Sequence, residues 1–187
     1  MPRIRSVYLS GPAAHHPDAD AVSAEMALLC EAAGFQALIS PMDLLTERPP
    51  SEAMAREIYA ARIAQLRRAD AAVLDVSPFR GPHCDPAAAF EAGFLAGLGR
   101  PVFGYMNVPT EEEAELCARV EAYVGAERDA DGVWRDVPGA PIEDFGLPES
   151  LMLWAELRRL YVIVTPLLQT DLTGLQLCLD AVKLYSD

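Results

Sequence analysis

Ala71-Ala-Val-Leu-Asp75, Ser77-Pro-Phe-Arg-Gly-Pro-His-Cys84, Asp85-Pro86-Ala87 through Leu98, and Gly99-Arg-Pro101-Val-Phe-Gly-Tyr105 follow one another in the chain and decide its fold. The first piece is apolar until Asp75 and reads as a strand. The second is a turn-rich loop. Asp85 suits an N-cap and Pro86 the first helical position, so a helix starts there and runs over Ala87 to Leu98. Gly99 and Pro101 close it, and Pro101 to Tyr105 reads as the next strand. Strand, helix, strand at this spacing predicts a parallel pair joined by a right-handed crossover.

The same alternation extends outward. Arg5 to Leu9 reads as a strand stopped by Ser10-Gly11-Pro12. A polar loop over Ala13 to Asp18 leads to a helix ending near Ala33, with Gly34 as its stop. Phe35 to Ser40 is a short strand, Pro41 to Pro50 a long loop, and Ser51 opens a helix in which Met54, Ile58, Ile63 and Leu66 fall near helical spacing. Downstream, Thr110-Glu-Glu-Glu113 is a capping box predicting a helix to about Val124. Gly125 to Pro148 reads as irregular. Helices are expected over Glu149 to Leu160 and Asp171 to Leu184, while Tyr161 to Val164 suits a fifth strand as well as a helix. The expected fold is α/β: a doubly wound, flavodoxin-like parallel sheet of four to five strands, helices on both faces, and C-terminal helices. Residues 1–187 are expected to form one domain.

Composition narrows the function. Of 187 residues, 51% are hydrophobic and 23% charged, a globular balance with enough apolar side chain for a core. Acidic residues outnumber basic ones 28 to 15, for a formal charge of −13, so nucleic-acid backbones and anionic membranes are not expected partners. The start, Met1-Pro-Arg-Ile-Arg5, leads straight into a strand with no signal-like apolar region, and the 4 cysteines form no CxxC pair. A reduced, cytoplasmic protein is the expectation.

In a doubly wound sheet the ligand sits beyond the carboxyl ends of the strands. Candidates there are Tyr8, Gly11, Asp75, Phe79, Arg80, Gly81, Asp85 and Glu91. Glu91 lies in the apolar run Ala87 to Leu98, and a carboxylate on a buried helix is costly unless it is hydrogen-bonded or does chemistry. An exposed helix edge is the alternative. Asp85 caps the helix and can also face the crevice. A pair of carboxylates in one crevice is what glycosyl chemistry uses. Tyr8 is either a packed core aromatic or the holder of a neighbouring carboxylate. Asp75 is a strand-end ligand contact or a turn residue. Phe79 could stack on a planar base and Arg80 could bond a base edge or phosphate, unless the loop is a surface turn. His83-Cys84-Asp85 has metal-ligand residue types but no companion cluster, so no metal site is expected. The first loop is not GxGxxG and there is no P-loop Lys.

Val7-Tyr-Leu-Ser-Gly-Pro12, Ala69 to Asp75, Ser77 to Gly81, Asp85 with Phe90-Glu-Ala-Gly-Phe94, Gly99 to Tyr105, and Ile142-Glu-Asp-Phe-Gly-Leu147 followed by Leu151-Met152 resemble, in this order, the nucleoside 2-deoxyribosyltransferase family, over about Val7 to Leu153. The resemblance implies that Glu91 attacks the anomeric carbon and forms a covalent deoxyribosyl-enzyme, that Tyr8 positions Glu91, and that Asp85 belongs to the substrate-binding and proton-handling shell. It implies ping-pong transfer between nucleosides and free nucleobases without a cofactor. Ser150 and Met152 match a segment that reaches into a neighbouring subunit's site. Two departures stand out. The family often carries an acidic or amide residue, contacting the base, near Arg62, and it places an Asn where this chain has Ser150. Related N-glycosidases acting on 2'-deoxynucleotides use a Ser in a similar region, so hydrolysis of a deoxynucleoside or its 5'-monophosphate is the alternative activity. A non-catalytic nucleotide-binding module is the alternative of another class.

A homo-oligomer is expected from the C-terminal apolar residues, Leu151, Leu153, Trp154, Leu157, Leu160 and Tyr161, then Leu172, Leu175, Leu177, Leu179, Val182 and Leu184. The alternative is that these segments fold back and complete the chain's own core.

Overall fold

Apolar strands that lack alternation must be covered on both faces, and the computed structural model, which describes residues 3–39 and 50–186, shows how. The strands in chain order are β1 (Ser6–Ser10), β2 (Gln36–Ile39), β3 (Ala71–Asp75), β4 (Val102–Val108), β5 (Ala126–Arg128), β6 (Trp134–Asp136) and β7 (Leu160–Val164). Among the described residues, β2-β1-β3-β4-β7 form a 5-stranded sheet, and every pairing in it is parallel. The helices are α1 (Ala19–Ala32), α2 (Glu52–Arg68), α3 (Pro86–Gly97), α4 (Leu116–Val124), α5 (Leu151–Glu156) and α6 (Thr173–Ser186).

Period-2 alternation sends successive strand residues to opposite faces. Val7 and Leu9 of β1, Val73 of β3 and Phe103 of β4 pack against Met26 of α1 and Leu175 and Leu179 of α6. Tyr8, Leu74 and Met106 face the other way, against Leu66 of α2, Ala92 and Leu95 of α3, and Leu153 of α5. The chain leaves β1 toward β2 on one side and returns to β3 on the other. The strand order therefore reverses between β1 and β3, and the crevice opens at their carboxyl ends, where Ser10 pairs with Leu74.

One alternative left open is decided, and several expectations need correction. Tyr161 to Val164 is strand, within β7: its β-branched Val162, Ile163 and Val164 suit the slot beside β4. The helix expected to reach Leu160 is the short α5, so the segment from 149 onward is helix, strand, helix and not helical throughout. At the capping box, Glu113 N donates to Thr110 Oγ1 at 3.3 Å, but this closes only a 3-10 turn, Glu112–Ala114, and α4 starts at Leu116. The stretch expected to be irregular holds the antiparallel β5–β6 hairpin. Most of the loop expected over 41–50, with Asp43, Glu47 and Arg48, lies outside the described residues.

The apolar surplus of the last helix is also explained within the chain. Leu172, Leu175, Cys178, Leu179 and Val182 are buried against the sheet, and a Cβ on Gly174 would stand 2.5 Å from Tyr105 Cβ. Helix α6 thus completes one face of the core, and its apolar residues do not by themselves call for a partner. Exposed apolar side chain remains at Leu151, Met152 and Trp154 of α5 and at Leu177 and Leu184. Among the described residues no helix is long and apolar enough to cross a membrane.

Candidate active site

Helix α3 is small and apolar on nearly every side, which lets it sit close to the sheet and carries Glu91 inward to 2% exposure. On the sheet, β1's alternation points Tyr8 to the same face. The Tyr8 hydroxyl donates to Glu91 Oε1 at 2.8 Å. From α2, Arg62 brings Nη1 to 3.9 Å from that same oxygen. Among the described residues Glu91 Oε2 has no hydrogen-bond partner. Burial raises the Glu91 carboxyl above its ordinary range; the Ser10 and Tyr8 hydroxyls and the Arg62 charge oppose this, and Asp85 adds to it. Burial, then the Glu91 charge, push the Tyr8 hydroxyl far up, so it stays protonated and can only donate to the carboxylate.

Asp85 fills both roles open to it. Its Oδ1 accepts from Ala87 N at 3.1 Å, capping α3, while Oδ2 faces His15 Nε2 at 3.6 Å. His15, at the end of the 3-10 turn Pro12–His15, stacks on Phe79 with ring centroids 4.9 Å apart and planes at 19°. The Arg80 guanidinium lies 4.7 Å from the Phe79 ring centre, and Arg80 adopts a left-handed φ of 55°. Phe79 thus touches the crevice residue His15, and Arg80 touches Phe79, in the rim loop between β3 and Asp85. Gly81 lies beside them in the same loop.

Gly11 and Asp75 are brought into direct contact. Gly11 has φ 153°, and a Cβ there would lie 2.4 Å from Asp75 Cβ, so the turn after β1 closes over β3 only without a side chain. Asp75 is 1% exposed behind Gly11. Its Oδ1 accepts from Ser77 N at 2.9 Å and from the Ser77 hydroxyl, which in turn accepts from Asn107 N at 2.8 Å. Burial pushes its carboxyl up to about 6, against the Ser77 and Tyr105 hydroxyls. Asp75 therefore braces the crevice floor, while Ser10, Gly11, His15, Arg62 and Asp85 line the crevice. A second, apolar groove of about 350 Å³ runs between α2 and α3 past Ile58, Tyr59, Phe90 and Glu91 and shares Arg62 with the first.

Ser150 and Met152 do not join these residues within the chain. Ser150 N donates to Glu149 Oε1 at 2.8 Å, and Met152 is 82% exposed on α5. Beside them stands a cluster the sequence reading passed over. Arg119 of α4 is fully buried; it donates from Nε to Pro82 O at 2.8 Å, from Nη1 to Glu113 O at 2.6 Å, and from Nη2 to Pro148 O. Buried Glu149 pairs with His83 Nδ1 at 2.8 Å, accepts from Cys84 N at 3.1 Å, and lies 4.0 Å from Arg119. This cluster ties the rim loop to the segment ahead of α5. The available signal was Arg119's place on the apolar stripe with Leu116 and Val120. His83 is thereby occupied with Glu149, and among the described residues no group of three His, Cys, Asp or Glu side chains could hold a metal ion.

The family model for nucleoside 2-deoxyribosyltransferase matches residues 7–152. A solved 2-desoxiribosyltransferase from Leishmania mexicana is 27% identical, with 87% of this chain and 91% of that one covered at a TM-score of 0.59. A 2-deoxyribosyltransferase from Bacillus psychrosaccharolyticus is 20% identical over 57% of this chain and 74% of that one, at a TM-score of 0.45. An uncharacterized protein of Schizosaccharomyces pombe is 29% identical over 107 residues, 55% of this chain; the match spans 50% of that relative's length. The match begins inside β1, takes in Tyr8, Asp85 and Glu91, and ends in α5, so the chain belongs to the nucleoside 2-deoxyribosyltransferase family.

Proposed function

We propose that this chain transfers a 2-deoxyribosyl group between nucleobases, with Glu91 as the nucleophile. The observation that carries the reading is a buried carboxylate with one oxygen held by Tyr8 and the other without a hydrogen-bond partner among the described residues, on the groove between α2 and α3 and beside the crevice residues Arg62 and Asp85. Family membership supports it. In the first half-reaction Glu91 Oε2 attacks C1' of a deoxynucleoside. The C1'–N bond breaks, its electron pair leaves with the base, and Asp85 handles the proton that base takes up. In the second, a ring nitrogen of another base attacks C1' and gives up its proton to Asp85, the ester bond to Glu91 breaks, and the carboxylate is regenerated. Attack through an ester twice retains the anomeric configuration.

The active unit in this proposal is a homo-oligomer. Met152 is exposed on α5 and Ser150 stands beside the Glu149 cluster, away from the chain's own crevice, so a neighbouring copy would bring them to a site.

The test is to incubate the protein with a deoxynucleoside, with and without a second free base, and to separate the products. A new nucleoside formed by the wild type and absent with Glu91→Ala and Glu91→Gln is the expected result, with one deoxyribosyl unit of added mass on the wild type alone. Free base and sugar in both incubations would mean hydrolysis. Retention of most of the wild-type rate in Glu91→Gln would remove Glu91 from the mechanism.

A further inference from the structure

Arg62 stands on the stripe of α2 that faces the core, in register with Met54, Ile58 and Leu66 at helical spacing. A guanidinium at such a position needs a partner, and its side chain is only 24% exposed. Its Nη1 lies 3.9 Å from Glu91 Oε1, the oxygen that already accepts from Tyr8 at 2.8 Å. Oε2 has no hydrogen-bond partner among the described residues. The two carboxylate oxygens are therefore unequal: one is held from both sides and the other is not. Arg62 also lines both the β1–β3 crevice and the α2–α3 groove, and the groove reaches Glu91.

We propose that Arg62 is a positioning residue: together with Tyr8 it pins Oε1 of Glu91 and leaves Oε2 as the oxygen that reacts. This rests on the reading of Glu91 as nucleophile and deepens it. Among the described residues, the polar, charged and titratable groups facing Glu91 are Tyr8 and Ser10 from β1, Arg62 from α2 and Asp85 from the start of α3, with His15 set against Asp85. Asp85 opposes ionisation of Glu91, and Arg62 is the cation that favours it. A fixed cation fits this task because it carries no proton to exchange during the reaction.

The experiment follows the Glu91 carboxyl carbon by 13C NMR across a pH titration of substrate-free protein. It compares wild type with Arg62→Met, Arg62→Gln and Arg62→Lys. Methionine keeps the stem that packs on the α2 stripe, and glutamine is a second loss variant should one of them not fold. Loss of the cation is expected to move the Glu91 midpoint up by roughly one pH unit, the low end for an opposite charge within this distance. Lysine restores part of the shift. In the transfer assay kcat measured below the wild-type Glu91 midpoint falls by roughly tenfold in the loss variants, recovers at higher pH, and KM changes less. An unmoved Glu91 midpoint in a folded loss variant overturns the proposal even if the wild type transfers deoxyribose. A shifted midpoint with no transfer by the wild type upholds the Arg62–Glu91 coupling and overturns only the transferase reading.

Discussion

Tyr8→Phe keeps the ring and removes one oxygen, which isolates what the hydroxyl does. Tyr8 is 0% exposed and Glu91 2%, so water cannot replace the lost 2.8 Å hydrogen bond without rearrangement. A bond to an ionised partner contributes about 1.5–3 kcal/mol and one to a neutral partner about 1 kcal/mol. Which figure applies depends on pH. Burial raises the Glu91 carboxyl and Tyr8 opposes that, so deleting the hydroxyl raises it further. A carboxyl whose folded value lies above its unfolded one favours the neutral form, so its contribution is present at low pH and lost as pH rises through the folded value. In the variant that loss is larger. Urea denaturation should give a stability difference of about 1 kcal/mol below the Glu91 midpoint, growing to about 2 kcal/mol as pH rises through it. The transfer rate at neutral pH should fall by roughly tenfold to a hundredfold, since the carboxylate is both less ionised and less well aimed. An unchanged rate with a pH-independent stability loss would make Tyr8 an ordinary core aromatic and refute the coupling to Glu91.

Other expectations test the scaffold around the site. Gly11→Ala places a methyl 2.4 Å from Asp75 Cβ at a φ unfavourable to side chains, and should cost about 3 kcal/mol or more in urea denaturation, with loss of activity. Arg119→Met leaves Glu149 buried without its guanidinium and strands three carbonyls, an effect of about 3–5 kcal/mol visible as a large fall in Tm. The hydrogen bond to Glu149 raises the His83 imidazole above 6.5, so its stabilising contribution is complete below that value and lost as pH climbs through the folded one. Tm measured from pH 6 to pH 8.5 should therefore fall more for wild type than for His83→Gln; equal slopes would remove His83 from the pH response.

Features set by nearest neighbours in the chain were legible from the residues alone. The apolar run ending at Asp75, the Asp85-Pro86 start and the closing Gly99 mark a βαβ unit because caps and turns act over a few bonds. The oddness of Glu91 was legible for the same reason: a carboxylate among Ala, Gly, Phe and Leu has no local side-chain partner, which leaves an exposed edge or a partner from elsewhere in the chain, and only the fold chooses between them. Tyr8 and Asp85 could be named as candidates by their places at a strand end and a helix start. What tertiary structure alone decided were meetings between remote segments. Nothing in Tyr161 to Val164 chooses strand over helix until β4 offers an unpaired edge. Asp75 reads as a ligand contact or a turn residue from the sequence; that Gly11 packs directly on it depends on the β1–β3 register. Arg119 and Glu149 pair because a rim loop and the segment ahead of α5 converge on α4. The one-sided grip of Tyr8 and Arg62 on Glu91 exists only because β1, α2 and α3 share one face of the sheet. Local propensity carries no information about such distances, since chain segments this far apart are brought together by burial of their apolar faces and not by any signal between them.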